Sequence, residues 1–327
     1  MLDFLYNYGL FLVKIITFVL AFLLIITFVA ATVMKVKSKE KFKIKNLNER
    51  YQEIREAMQK EIFSKKELKR LAKEEKKKNQ KMADVEINQK HIFVLNFKGD
   101  IKAAAVQELR EEITAILEVA TAQDEVVVVI ESSGGMIPNY GLAASQLQRI
   151  RQRKIPLIAI VDKVAASGGY MMACVADQVY AAPFAIIGSI GVIAQLPNFH
   201  KLLKKHDIEY EQITAGEYKR TLTLFGENTE KGRQKMKAEV EEAHELFKLF
   251  VVQNRPIVDI GKLATGEYWY GTKALELNLV DKIITSDDYL ANASKNATLY
   301  EVKYSVQVKK IDKFLGSIKT FLNNFWF

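Results

Sequence analysis

The sequence predicts an α/β domain with a largely parallel sheet, carried behind one N-terminal transmembrane helix. Two observations lead there. Residues 9–34 form an apolar run, GLFLVKIITFVLAFLLIITFVAATVM, and a helix needs about 20 such residues to cross the hydrocarbon core. From residue 85 onward, short β-branched runs alternate with stretches of helical periodicity, the pattern of strands joined by crossover helices. Four regions follow: an anchor over 1–35, a basic helical linker over 36–84, an α/β domain over 85–290 and a C-terminal extension over 291–327.

The anchor carries a single charge, Lys14, near its amino end, where a lysine can snorkel to the interface. A cleavable signal peptide would have a positive leader and an apolar core of about 7–15 residues. Here Asp3 precedes a longer run, so an uncleaved, single-pass membrane anchor is expected. Lys35, Lys37, Lys39, Lys41, Lys43 and Lys45 follow at once, and such a flank favours the cytoplasmic side.

The linker contains neither proline nor glycine, and Leu47, Tyr51, Ile54 and Met58 recur at three-four spacing, the mark of an amphipathic helix. The later run KRLAKEEKKKNQK reads as a solvated face. Net charge is +9, with much of the excess in this region. Its lysines suit anionic lipid headgroups. No stacking aromatics are interleaved with them, so nucleic acid is not an expected partner.

The chain has 327 residues, 49% hydrophobic and 27% charged, enough for a sizeable core. Its one cysteine, Cys174, sits in the apolar run YMMACVADQVY. That excludes an intrachain disulfide or a cysteine-based zinc cluster and predicts a buried thiol. His91, His200, His206 and His244 show no metal-binding spacing. No metal or other cofactor is expected.

Within the domain, HIFVLNFKG reads as a strand, AAAVQELREEITAILEVAT as a helix and EVVVVI as a strand buried on both faces. YGLAASQLQRIRQRK is again helical, and LIAIVDKV reads as one strand leading into the helix YMMACVAD. Functional groups in such sheets gather beyond the carboxyl ends of the strands. Two glycine turns lie there: Ser132-Ser133-Gly134-Gly135 and Ala166-Ser167-Gly168-Gly169. Glycines leave backbone N–H groups uncovered, and such donors can hold a developing oxyanion. A serine opening a helix is ordinarily an N-cap, so the residues alone leave Ser167 open to either role.

The segments ESSGGMIPNYGLAASQLQ, VDKVAASGGYMMACVAD, APFAIIGSIGVIAQ, TAGEYKRTLTLFGENTE and GEYWYGTKALELNLVD occur in this order. Together they resemble peptidase family S49, the signal peptide peptidase A group, most closely its SohB branch. The resemblance spans about Val85 to Asp288, and the layout of anchor and basic linker fits it. It implies a crotonase-like (ClpP-like) α/β fold and a serine endopeptidase with a Ser–Lys dyad. Ser167 of AASGG would be the nucleophile and Lys219 of GEYKR the general base. The N–H groups of Gly168 and Gly135 would form the oxyanion hole. Ser189, in the loop GSIGVI, would be a possible partner of Lys219 or a structural turn residue. It further implies peptide substrates such as remnant signal peptides, a homo-oligomer whose dyad can form between protomers, and a catalytic domain on the outer face of the membrane. The lysine flank points to the opposite face.

Serine needs an adjacent base to be a useful nucleophile, and lysine is a base only when neutral, far below its ordinary pKa of about 10.4. Lys219 must therefore be desolvated, and Tyr218, Leu222, Leu224 and Phe225 are neighbours suited to that. Lys163, at a strand end, and Lys201, Lys204 and Lys205, in a solvated helical run, fit the role less well. One departure stands out: Ser133 occupies the place where the family turn usually has proline, and loss of that fixed φ loosens the turn. Two rival readings remain: a catalytically weakened membrane scaffold on the same fold, for which Ser133 leaves room, and a crotonase-type acyl-CoA enzyme, against which both dyad motifs and the anchor count. Finally, Phe314, Leu315, Ile318, Phe321, Leu322 and Phe325 mark an amphipathic C-terminal helix that packs on protein or lies in the membrane interface.

Overall fold

The computed structural model describes residues 2–34, 39–71, 73 and 90–307. The expected C-terminal amphipathic helix and the run 74–89 of the linker lie outside them. The chain divides into a unit of residues 43–303 and a unit of residues 1–42 with 304–327.

In the smaller unit, α1 (Leu2–Met34) runs 33 residues, about 50 Å at 1.5 Å per residue. Its window Tyr6–Leu23 is long and apolar enough to cross a membrane, and none of that window is buried against protein.

The larger unit is built on a seven-stranded sheet in the order β1-β10-β2-β3-β4-β6-β9, to which β1 and β10 contribute residues 43–46 and 298–303 from this unit. The strands are β1 (Lys39–Asn46), β2 (His91–Lys98), β3 (Glu125–Glu131), β4 (Leu157–Val161), β6 (Gln178–Ala181), β9 (Lys282–Ile283) and β10 (Thr298–Gln307). From β10 to β9 every neighbouring pair is parallel. This is the α/β architecture predicted from the alternating runs. β3 is central: Val126, Val127 and Val128 are all fully buried, as a strand covered on both faces requires.

Alternation along β3 feeds two cores. Val126 and Val128 pack with Leu109 and Ile113 of α3 (Val106–Val119) and Leu147 of α4 (Ile137–Gln152). Tyr170 of the short α5 (Gly168–Ala173) joins them. Val127 faces the other way, with Ile92, Val94, Ile160 and Leu299. Leu290 of α10 (Ser286–Ala293) completes that side.

The linker contributes to this second core. α2 (Leu47–Ile62) is capped by Asn46, whose side chain accepts from Asn48 N–H. Leu47 is buried and Tyr51 packs beside it, whereas Ile54 and Met58 are exposed. The predicted amphipathic stripe is thus covered only over its first turn. Asn48 fixes that turn: its amide donates to Ser294 O and Ala297 O, both at 2.9 Å, and accepts from Leu299 N–H at 2.8 Å. The sheet therefore draws on residues either side of 85–290.

LIAIVDKV, read as one strand, is two. β4 stops at Val161, and β5 (Val164–Ala166) joins a separate three-stranded sheet, β5-β7-β8. Its partners are β7 (Ile186–Gly188) and β8 (Tyr268–Tyr270). The break lies at Asp162, whose carboxylate turns aside to accept from Ser286 N–H at 2.8 Å and Ser286 Oγ at 2.5 Å. That bend carries β5, and the residues after it, away from the main sheet.

The remaining helices are α6 (His200–Lys205), α7 (Glu230–Asn254), α8 (Ile260–Leu263) and α9 (Gly271–Glu276). Past α7, buried Arg255 forms a two-pronged pair with Asp281 at 3.0 Å on each arm. Cys174 closes α5 as a fully buried thiol that donates to Met171 O. Burial pushes its pKa up to about 12, because a thiolate there would lack solvation. Cys174 should accordingly resist a thiol-specific chromogenic reagent in the native protein and react once denaturant unfolds the chain. Fast labelling of the native state would contradict this burial.

Candidate active site

Two turns meet where β3 and β5 end. Ser132 N–H donates to Val164 O at 2.8 Å, and Ala166 N–H donates to Ser132 O at 3.0 Å. This short parallel bridge holds the turn Ser132–Gly135 against the turn Ala166–Gly169. On the far side, Ser167 N–H donates to Gly188 O at 2.8 Å. The approach is so close that side chains are excluded. A Cβ on Gly134 would lie 2.7 Å from Gly168 N, and one on Gly169 would lie 2.4 Å from Ser132 O.

Ser167 has φ +52° and ψ −119°, a conformation that costs a non-glycine residue roughly 1–3 kcal/mol. It occupies the N-cap position of α5, yet its hydroxyl makes no capping hydrogen bond. The N-cap role that the sequence left open is therefore not the one it plays. A strained serine on a strand–turn–helix corner, with its hydroxyl unspent, has the form of a nucleophile elbow.

Ser167, Gly168 and Gly135 line one small cavity of about 70 Å³, walled by Ile137, Met171, Val192 and Phe247 among others. The Gly168 N–H is the first of α5 and so has no intrahelical acceptor. Gly134 N–H is taken by Ser132 Oγ at 3.1 Å, but Gly135 N–H has no partner among the described residues. Of the two glycines in this turn, Gly135 and not Gly134 has its N–H left free. Three of the expected site residues are thus brought together.

Lys219 is not among them. It is exposed, in a loop where its N–H donates to Gly216 O, and it borders a different, open cavity of about 700 Å³ with Ile213, Leu222 and Phe225. Tyr218, Leu224 and Phe225, expected to shield it from water, are exposed as well. Within one chain the desolvation that a lysine base requires is not supplied. Ser189 does not reach Lys219 either: it takes a left-handed φ of +51° and its Oγ donates to Gly266 O at 3.3 Å.

Among the described residues, no lysine, histidine or carboxylate walls the cavity around Ser167. It does include Tyr140, which the sequence placed only in a helical run. Tyr140 is fully buried, and its hydroxyl bonds to Ser132 Oγ at 2.5 Å and donates to Asp100 O at 2.7 Å. A buried aromatic at helical spacing looks like any core residue in sequence, and its polar contacts are long-range, so no local signal marks it. No cluster able to hold a metal ion occurs among the described residues.

Comparison with known proteins places the chain in a family. Residues 3–147 match the family model described as peptidase family S49 N-terminal, and residues 149–300 match that described as peptidase family S49. The chain is 49% identical over 325 residues to the probable protease SohB of Haemophilus influenzae, covering 95% of this chain and 92% of that one. It is 50% identical over 327 residues to the probable protease SohB of Buchnera aphidicola subsp. Schizaphis graminum, covering 97% and 95%. With matches of this extent on both halves, the chain belongs to peptidase family S49.

Proposed function

We propose that the protein is a membrane-anchored serine endopeptidase in which Ser167 of one copy is activated by Lys219 of a neighbouring copy. The observation that carries this reading is the strained Ser167 beside two free N–H donors in a cavity walled by no general base. A serine needs a base within hydrogen-bond reach, and a second copy can bring one.

The reaction is acyl transfer. Ser167 Oγ attacks the peptide carbonyl while its proton passes to neutral Lys219. The carbonyl oxygen becomes an oxyanion facing the N–H groups of Gly135 and Gly168. The tetrahedral intermediate collapses as Lys219 protonates the leaving amine, and water then releases the acyl group with the lysine again acting as base. No cofactor enters any step.

The surface of residues 191–229 supports assembly. Ile193 is 74% exposed and Ile213 89%, with Leu196, Leu202 and Ile208 also uncovered. So many apolar side chains on one exposed segment mark a surface built to be covered. A neighbouring copy lying there would also remove water from Lys219. The apolar α1 supports attachment to the inner membrane, which would give the enzyme membrane-associated, signal-peptide-like substrates.

The mixing of two inactive variants tests the shared site. Ser167→Ala and Lys219→Ala should each lose peptidase activity. Coassembled in equal amounts they should recover up to about a quarter of wild-type activity, the statistical share of sites pairing an intact serine with an intact lysine from its neighbour. No recovery from a verified mixed assembly would place the dyad within one chain, against this reading.

The cavity beside Ser167 sets a size limit. At about 70 Å³ it has room for only a few waters. Peptides with alanine before the cleaved bond should be turned over at least about tenfold faster, in kcat/KM, than those with phenylalanine. Equal rates would show that this cavity does not receive the side chain.

A further inference from the structure

The hydroxyls of Ser132 and Tyr140 form a directional chain. A backbone carbonyl can only accept, so Tyr140 must donate to Asp100 O. Its one proton being spent, Tyr140 Oη accepts from Ser132 Oγ–H. Ser132 Oγ in turn accepts from Gly134 N–H. The order is fixed as Gly134 N–H to Ser132 to Tyr140 to Asp100 O, each link polarising the next. The two hydroxyl-bearing residues lie out of solvent: Ser132 is 2% exposed and Tyr140 0%.

Tyr140 also touches the other half of the site. A Cβ on Gly168 would lie 2.3 Å from Tyr140 Cγ, so the Gly168 backbone rests directly on the phenol ring. Gly99 completes the arrangement: a Cβ there would lie 2.4 Å from Tyr140 Oη and 2.6 Å from Ser132 Oγ. The absence of a side chain at Gly99 makes the room in which the two hydroxyls meet.

We infer that Tyr140, through Ser132, is the positioning residue that sets the two oxyanion donors, Gly135 N–H and Gly168 N–H, relative to each other. Its hydroxyl ties down the turn that carries Gly135, and its ring supports the backbone that carries Gly168. By engaging Gly134 N–H, the chain also leaves Gly135 as the glycine of this turn whose N–H can meet substrate. This gives the turn an anchor that does not depend on proline at position 133. The hydroxyls of Tyr140 and Ser132 act on the reaction only through these backbone groups. The inference rests on the peptidase reading above and deepens it.

The test is steady-state hydrolysis of a fluorogenic peptide by full-length protein, with thermal midpoints measured alongside. Tyr140→Phe keeps the ring under Gly168 and removes the hydroxyl; Ser132→Ala removes the other end of the chain. Each should lower kcat by about tenfold to a hundredfold, less than or equal to the loss of one oxyanion donor, with KM within twofold of wild type. The double variant should be no slower than the slower single one, because both break one chain. Binding of a peptide aldehyde, which forms the oxyanion on Ser167, should weaken by the same factor as kcat, while a non-covalent peptide should bind unchanged. A loss of stability alone would leave these ratios at unity for the folded fraction. A kcat within twofold of wild type in Tyr140→Phe, or additive losses in the double variant, would overturn the positioning role while leaving the peptidase reading intact. A wild-type protein whose hydrolysis survives Ser167→Ala would overturn the reading beneath it.

Discussion

The two backbone hydrogen bonds between Ser132 and β5, from Ser132 N–H to Val164 O and from Ala166 N–H to Ser132 O, are where the main sheet and the smaller sheet meet. Everything chemical in the structure depends on that contact. It brings one glycine turn from the end of β3 against another from the end of β5, so close that Gly134 and Gly169 have no space for a side chain. The positive φ of Ser167 is maintained from both sides, by this bridge and by the bond from Ser167 N–H to Gly188 O. Strain of this kind persists only where the surroundings over-determine it, and here a buried sheet junction does so.

The reach of sequence reasoning follows the range of the interactions involved. β2, β3 and α3 were legible because burial on both faces, or along one stripe, writes a local period into the chain. The division of LIAIVDKV into β4 and β5 was not, because Asp162 is pulled aside by Ser286, 124 residues away. Nothing near Asp162 announces that partner. The glycines of both turns were legible as uncovered backbone, and Ser167 as a serine at a helix start. That its hydroxyl is not a cap could be learned only from its geometry. Tyr140 was hidden for a different reason: its ring obeys helical spacing, so its role at the site resembles ordinary packing. The exposure of Lys219 ran against the apolar character of its neighbours, because those neighbours are themselves uncovered in one chain.

On the proposed reading the catalytic problem has two parts. One chain would supply the nucleophile, the oxyanion donors and a small apolar cavity, all tied to the sheet. The base and its desolvation would be left to assembly. An isolated chain would then be inert, since a serine without a base is a weak nucleophile. Activity would follow the concentration of copies in the membrane plane, where α1, a helix long and apolar enough to span it, would hold them.

The most direct measurement is covalent labelling of the assembled protein by a fluorophosphonate, followed by mass spectrometry of the modified peptide. The adduct should fall on Ser167 in wild type, vanish in Ser167→Ala and form at least about a hundredfold more slowly in Lys219→Ala, as loss of a general base requires. Equal labelling rates in wild type and Lys219→Ala, or an adduct on another serine, would contradict the assignment of the pair.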